Sequence, residues 1–223
     1  MRLGLSVVVA GLVGLPAVCV AGPDWVERGD AGSSLFTAQI TTGVGTIRSI
    51  TGDLTSSDRG GADLEDLYII RIVNPGTYSF TVNALNFSPA LYLFNISLAG
   101  EAFGLVGERG DGALNVVLSG NATDSTGAQV SQPGLYALAV TYSGNRPLSR
   151  TGPIFNFASE GETSGPDGQG GINPLESWDP QSPLTGGDYN IVVTGVEFAD
   201  IPAPGAAAML MTAGIVAARR RRR

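Results

Sequence analysis

The chain has 223 residues, with 20 acidic and 13 basic side chains and no histidine. All 13 basic residues are arginines, and the single cysteine is Cys19. Catalysis by a Ser-His-Asp triad, a Cys-His pair, a Schiff-base lysine or a histidine-bound zinc ion is therefore excluded. The composition still permits hydrolysis by a pair of carboxylates, as in glycosidases.

The first 21 residues have the layout of an export signal. Met1-Arg2 is a short positive segment, Leu3–Leu15 is apolar, and Cys19-Val20-Ala21 places small residues where a signal peptidase cleaves. We expect cleavage after Ala21, with residues 22–44 forming a lead-in to the folded part. The alternative is lipidation at Cys19.

A cluster of acidic residues precedes one of the predicted strands. It contains Asp58, Asp63, Glu65 and Asp66, and Gly60-Gly61 allows the chain to fold back between them. Carboxylate and backbone oxygens are the ligands of hard cations, so the cluster predicts a calcium site. The spacing is not that of an EF-hand loop, and the alternative is a solvated acidic turn.

Short apolar runs that alternate with polar residues, separated by many of the 32 glycines and 13 prolines, predict strands rather than helices. In three places a glycine or proline turn delivers a tyrosine onto a strand of period two, at Tyr78, Tyr136 and Tyr189. We expect each tyrosine hydroxyl to bond a neighbouring backbone group. The predicted strands are Gly45–Ile50, Leu67–Val73, Ser79–Val82, Ala90–Ile96, Ala113–Leu118, Ala137–Val140 and Asn190–Val193.

Seven or eight short strands over residues 45–198 predict an all-β fold, an antiparallel β-sandwich of jelly-roll type, flanked by an N-terminal signal helix and a C-terminal hydrophobic helix. An up-and-down barrel is the second choice. With no cysteine after the signal, no intramolecular disulfide can form, and one apolar core must hold the domain together.

The segment Ala158–Gly187 is long and shows little strand pattern, which is common in functional loops. Trp178 and Asp179 are the candidate ligand-binding residues there, because a tryptophan beside polar groups can stack on a sugar. Alternatively, Trp178 lies under the loop and closes one end of the sandwich. Two carboxylate pairs lie in the same segment, Glu160 with Glu162 and Glu176 with Asp179, but no aromatic cleft is evident around them.

Residues 199–223 end the chain with a second export-related pattern. Pro202, Ala203, Pro204 and Gly205 form a breaker before the uncharged stretch Ala206–Ala218, and the chain then ends in Arg219, Arg220, Arg221, Arg222 and Arg223. A helix over residues 205–218 would be about 21 Å long, against a hydrocarbon core of about 30 Å. The arginines should stay on the cytoplasmic side of the membrane. We expect a transient membrane helix that is then removed, and the alternative is an ordinary C-terminal anchor.

This order of parts resembles the PEP-CTERM class of bacterial sorting tails, with Pro202-Ala203-Pro204 in place of the usual Pro-Glu-Pro. The resemblance implies passage through the export machinery and processing by an exosortase-like membrane protease.

The middle of the chain resembles the bacterial pre-peptidase C-terminal (PPC) domains over about residues 45–197. Four segments carry the likeness, at similar spacings: Asp63–Tyr68, Pro75–Tyr78, Leu91–Asn95 and Pro133–Tyr136. The resemblance implies a small secreted β-sandwich without catalytic activity.

Residues 22–204 contain all 20 acidic but only seven basic residues, which leaves a net charge of −13. Such a charge repels phosphates, so we expect no nucleic-acid partner. We expect an exported, non-enzymatic protein of the cell envelope or extracellular matrix, a structural, adhesive or ligand-binding module with polysaccharide as its candidate ligand. The alternative is a carbohydrate-binding or weakly glycoside-acting protein that uses Trp178 and nearby acids. A third option is a calcium-dependent assembly unit, calcium being the only cofactor that the sequence suggests.

Overall fold

The computed structural model describes residues 24–55 and 62–199. Asp58 and the predicted processing residues lie outside these ranges, namely Ala21, Pro202, Ala203, Pro204, Gly205 and Arg219–Arg223, as do both predicted terminal helices. Within the described ranges every regular element is a β-strand, which confirms the all-β prediction. No helix in this part of the chain is long and apolar enough to cross a membrane.

The described residues form fourteen strands. In chain order they are β1 (Trp25–Val26), β2 (Gln39–Ile40), β3 (Ser49–Leu54), β4 (Glu65–Ile72), β5 (Ser79–Ala84), β6 (Pro89–Ile96), β7 (Ala102–Arg109), β8 (Asn115–Ser119), β9 (Gly134–Tyr142), β10 (Asn145–Ser149), β11 (Gly152–Pro153), β12 (Ser177–Pro180), β13 (Gly187–Thr194) and β14 (Val196–Phe198).

Two larger sheets and one small sheet contain these strands. The five-stranded sheet has the order β1-β3-β13-β5-β8, and the six-stranded sheet has the order β14-β4-β9-β6-β7 with β2 also paired to β4. Two strands share one side of β4, because β2 pairs in parallel at Tyr68 and Ile69 while β14 pairs antiparallel at residues 70–72. The small sheet has the order β11-β10-β12. Residues 24–44 therefore supply β1 to one larger sheet and β2 to the other.

The main hydrophobic cluster draws buried side chains from both larger sheets. Successive side chains of β4 point to opposite faces of the sheet. Tyr68, Ile70 and Ile72 belong to this cluster. Leu67 and Ile69 belong to a second cluster on the other face. The second cluster also contains Phe155 and is lined by Trp178, so the segment after β11 covers the other face of the six-stranded sheet. Asp66 lies two residues before Tyr68 on β4, so its side chain points to the same face of the sheet. The carboxyl group of Asp66 therefore lies on the face that carries the main hydrophobic cluster.

Six of the seven predicted strands overlap an observed strand over at least four residues. The prediction Gly45–Ile50 is displaced, because β3 runs over Ser49–Leu54 and Gly45 lies in a turn at φ +85°. The predictions missed β1, β2, β7, β10, β11, β12 and β14.

The tyrosine prediction is confirmed at two of its three positions. Tyr78 donates its hydroxyl hydrogen to the carbonyl of Gly120 at 2.7 Å, and Tyr136 donates to that of Gln132 at 2.6 Å. It is wrong for Tyr189, whose hydroxyl lies 2.5 Å from Oδ2 of the buried Asp66 instead of reaching a backbone group.

Candidate functional site

Three carboxyl groups converge beside the edge of the main core. One oxygen from each of Glu27, Asp63 and Asp66 lies within 4.8 Å of the other two, which is a separation that a single metal ion can bridge. Of the four predicted calcium ligands, the structure brings Asp63 and Asp66 together and adds Glu27, which the sequence reasoning missed.

Glu65, the remaining described member of the predicted set, has a different partner. Asn145 donates its side-chain amide to Oε2 of Glu65 at 2.7 Å and to the carbonyl of Leu64 at 3.3 Å. Because neighbouring residues of a strand point to opposite faces, Glu65 lies away from Asp66 and flanks the group formed by Glu27, Asp63 and Asp66.

Each of the three carboxyl groups is held by a different part of the fold. Glu27 follows β1, and its two oxygens accept hydrogen bonds of 3.0 Å from the backbone N–H groups of Ala31 and Asp53. Asp63 is fixed by Thr55 at the end of β3, since the two residues exchange backbone hydrogen bonds of 2.8 and 2.9 Å. The group thus joins the lead-in, the Thr55–Asp63 pairing and β4.

Asp66 is fully buried, and its two oxygens differ. Oδ2 accepts the hydroxyl hydrogen of Tyr189 at 2.5 Å, and that hydroxyl also lies 2.5 Å from the hydroxyl of Tyr68. Oδ1 is buried and has no hydrogen-bond partner among the described residues. An unsatisfied buried polar atom costs about 1–3 kcal/mol, and more when it carries charge. The carboxyl group of Asp66 therefore needs either a proton or a cation to neutralise it.

The electrostatics of the group fit this requirement. Burial raises the pKa of Asp66 to about 9, with the hydrogen bond from Tyr189 opposing the shift and the charges of Glu27 and Asp63 adding to it. Burial and the charge of Asp30 raise the pKa of Asp63 to about 7, and burial also raises the pKa of Glu27. Without a cation, these carboxyl groups repel one another when ionised, and Asp66 keeps its proton at neutral pH.

Open space adjoins the carboxyl groups. A cavity of about 600 Å³ is lined by Glu27, Asp63 and Tyr189, and a second of about 400 Å³ shares Asp30 and Asp63 with it. Further oxygen atoms line the larger cavity, from the side chains of Thr51, Thr55, Asp53 and Asp188. Carboxylate and hydroxyl oxygens of this kind, together with water, are the ligands that calcium takes.

Gly52 of β3 makes the close approach between Glu27 and Tyr189 possible. A methyl group at this position would collide with both the Glu27 carboxylate and the Tyr189 hydroxyl. We expect Gly52→Ala to lower the free energy of unfolding by about 1–3 kcal/mol, measured by urea denaturation in the presence of a chelator. Gly76→Ala is the matched control, because its nearest neighbour would be 3.7 Å away. Equal stability of the two variants would contradict this packing.

Trp178 and Asp179, the predicted ligand-binding residues, contact other parts of the protein. The indole Nε1 of Trp178 donates to the carbonyl of Ser33 at 2.8 Å, and the ring centroid lies 5.9 Å from that of Tyr92. Asp179 forms an ion pair of 2.5 Å with Arg146. Trp178 thus links the lead-in to the outer face of the six-stranded sheet.

Removing this ring should destabilise the fold. We expect Trp178→Ala to lower the free energy of unfolding by about 2 kcal/mol, less than for a fully buried tryptophan because the ring is only half-buried. Trp178→Phe retains an aromatic ring against Tyr92 but loses the hydrogen bond to Ser33, so it should lose about half as much. Chemical denaturation measures both, and unchanged stability in Trp178→Ala would contradict the structural role.

Of the two predicted carboxylate pairs, Glu162 and Asp179 have partners within the described residues. Glu162 accepts hydrogen bonds of 3.1 Å from the backbone N–H groups of Ala158 and Ser159, which closes the turn around the exposed Glu160. The glycines 168, 170 and 171 lie against backbone carbonyl groups too closely for any side chain to fit. The glycine-rich stretch is therefore a tightly packed coil.

Comparison with known proteins identifies no relative of this chain. No protein-family model matches it, and no curated protein or solved structure matches it at a significant level. The resemblances to PEP-CTERM tails and to PPC domains accordingly stay predictions.

Proposed function

We propose that this protein is an exported, non-catalytic module of the cell envelope or extracellular matrix. We further propose that a bound divalent cation stabilises it, and that outside the cell this cation is calcium. The observation that carries this proposal is the buried Oδ1 of Asp66, which has no hydrogen-bond partner in residues 24–55 and 62–199 although its carboxyl group converges with those of Glu27 and Asp63. A cation bridging the three carboxylates would satisfy this oxygen and remove their mutual repulsion.

The bound cation would act as a structural clamp. Glu27 belongs to the lead-in, whereas Asp63 directly precedes β4 and Asp66 lies in β4, so one ion would join two segments that are distant in sequence. Calcium fits better than magnesium, because calcium accepts irregular sets of six to eight oxygen ligands whereas magnesium requires a near-ideal octahedron.

We assign the two larger sheets to a β-sandwich of jelly-roll type. The main hydrophobic cluster, which takes side chains such as Ile50 and Ile191 from one sheet and Ile70 and Leu138 from the other, supports this assignment. Rigid sandwiches of this kind serve as binding or display modules on many surfaces, with function residing in sites added to the fold.

Export is supported by the sequence patterns at residues 1–21 and 199–223. In this proposal the export machinery and an exosortase-like protease act on the chain, which is held in the membrane by residues 206–218 until it is processed. The charge of −13 on residues 22–204 suits a solvated surface protein and disfavours nucleic acid as a partner.

Mass spectrometry of the protein recovered from the envelope fraction of its host tests both parts of this proposal. Under denaturing conditions we expect a mass that begins near Gly22 and ends within Pro202–Gly205. Under native conditions we expect an excess mass of one calcium ion, which is lost after treatment with a chelator. A retained arginine block contradicts the processing, and a native mass without calcium contradicts the clamp.

A further inference from the structure

A second cleft, of about 420 Å³, lies between the end of β7, strand β10 and residues 153–169. This volume is within the range of small-ligand sites. Its walls carry two arginines, Arg109 and Arg146, and two aromatic rings, Phe155 and Phe157. None of these residues belongs to the proposed calcium clamp.

The backbone around the cleft is fixed by hydrogen bonds. Gly107 of β7 and Ser164 exchange backbone hydrogen bonds of 2.9 Å, and the N–H of Ile154 donates to the carbonyl of Pro147 in β10 at 3.0 Å. The N–H of Gly168 in turn donates to the carbonyl of Ile154 at 3.0 Å. The long segment therefore presents its side chains from a rigid backbone, as a preformed site requires.

Each charged group in the cleft is oriented by the protein but keeps further atoms for a ligand. Arg109 pairs with Asp111 at 2.9 Å and lies 4.8 Å from the ring centroid of Phe157, and Arg146 pairs with Asp179 at 2.5 Å. A guanidinium has five N–H donors, so most of them remain unused by the described residues.

The remaining polar groups of the cleft supply both an acceptor and donors. Oδ1 of Asp167 accepts hydrogen bonds from the backbone N–H of Asn156 at 3.0 Å and from Ser164 Oγ at 3.3 Å, and Oδ2 has no partner within the described residues. The side-chain amides of Asn156 and Gln169 also make no hydrogen bond to the described part of the chain. Hydroxyl groups, which donate and accept at once, match this mixture of partners.

The charge of the cleft selects against ionic ligands. The two guanidiniums are balanced by Asp111 and Asp179, and Asp167 adds one further negative charge, on a protein that is acidic overall. An anionic ligand would meet repulsion from these carboxylates, and a cationic ligand would meet it from the guanidiniums. A neutral, hydroxyl-rich ligand avoids both.

We propose that this cleft binds a neutral polysaccharide through one or two hexose units. Asp167 and the guanidinium of Arg146 share adjacent ring hydroxyls, and the half-buried ring of Phe157 packs against the C–H face of the sugar. This places the carbohydrate contact in the cleft rather than on Trp178, and it holds whether or not the calcium clamp exists.

Affinity gel electrophoresis tests the proposal, with dextran, laminarin, mannan and galactan as neutral probes and polygalacturonate as the anionic probe. We expect at least one neutral polymer to retard the protein, equally in calcium and in chelator. Asp167→Asn, Arg146→Gln and Asn156→Ala should each weaken retardation about tenfold. Arg48→Gln and Glu101→Gln are the matched controls and should leave it unchanged.

Thermal unfolding of each variant shows whether it is folded, and Asn156→Ala removes a side chain without a described hydrogen bond, so at least one variant keeps the native structure. Retardation by polygalacturonate alone, no retardation by any neutral probe, or retardation that the folded cleft variants leave unchanged would each overturn the proposal. Loss of binding in chelator alone would show that the sugar contacts the cation site instead, and would overturn it as well.

Discussion

Millimolar calcium should raise the midpoint of thermal unfolding of this protein by about 5–10 °C, and a chelator should reverse the change. A ligand that binds only the folded state adds about 2.7 kcal/mol at one hundred times its dissociation constant. For a domain of this size, 1 kcal/mol corresponds to about 2–4 °C. Differential scanning fluorimetry with calcium, magnesium and chelator measures the effect, and magnesium should give the smaller shift.

Substitutions in the acidic group separate a specific site from general charge screening. Glu27→Gln and Asp63→Asn each remove one ligand charge and should abolish most of the calcium-dependent shift. Glu101→Gln removes one charge from the exposed turn between β6 and β7 and should preserve the whole shift. If all three variants respond to calcium as the unaltered protein does, the ion is not bound by these carboxylates.

Without calcium, the protein should be less stable at pH 8 than at pH 5, contrary to the usual behaviour of carboxylates in ion pairs. Burial raises the pKa of Asp66 from 3.8 to about 9 and that of Asp63 from 3.8 to about 7. The unfolded chain releases these protons as the pH rises through about 4, whereas the folded chain retains them, so stability falls until the pH exceeds the folded pKa. Between pH 5 and pH 8, Asp66 alone should lower the free energy of unfolding by at most about 4 kcal/mol, which lowers the midpoint of thermal unfolding by about 10 °C.

The matched variant is Asp66→Asn, whose side chain does not titrate. Its unfolding midpoint in chelator should fall less between pH 5 and pH 8 than that of the unaltered protein, and the fall that remains comes from Asp63 and Glu65, whose pKa burial raises to about 7. Saturating calcium should also flatten the profile of the unaltered protein, because the bound ion stabilises the ionised carboxylates. Two carboxyl groups whose pKa is lowered, Asp24 and Asp124, titrate below pH 4 and do not affect this window. A midpoint that rises with pH in chelator would contradict the buried, protonated state of Asp66.

Three of the strands that the sequence predicted combine an alternation of apolar and polar residues with a glycine or proline turn before them. β5, β9 and β13 follow this pattern, and each carries its tyrosine at or next to the first residues of the strand. The local sequence was enough to predict these three strands, because the turn and the alternation of side chains both lie within about ten residues.

The missed strands show where local pattern fails. β7 contains Gly104 and Gly107, which break the alternation; the structure explains both, since a Cβ at Gly104 would collide with Ile154 and one at Gly107 would come within 2.7 Å of the Tyr92 ring. β10 contains Pro147, and β1 and β2 have only two residues each. These strands exist because of partners elsewhere in the fold rather than local propensity.

The acidic site could be predicted only in part, because some of its residues are close in space but distant in sequence. Asp63 and Asp66 are neighbours in sequence, and their density indicated a cation site. Glu27 reaches them only because β1 pairs in parallel with β3, and Tyr189 reaches Asp66 across 123 residues because β13 and β4 belong to the two larger sheets that share the main hydrophobic cluster. A single sequence carries no signal for either contact.

Isothermal titration calorimetry of the metal-free protein with calcium is the most direct test of the clamp. We expect saturable binding of one ion per chain at pH 7, with a measured enthalpy that depends on the buffer, because Asp66 must release its proton when calcium binds. Glu27→Gln and Asp63→Asn should abolish the saturable heat, and Glu101→Gln should retain it. No saturable heat in the unaltered protein, or the same binding in all three variants, would show that the three carboxyl groups do not form a calcium site.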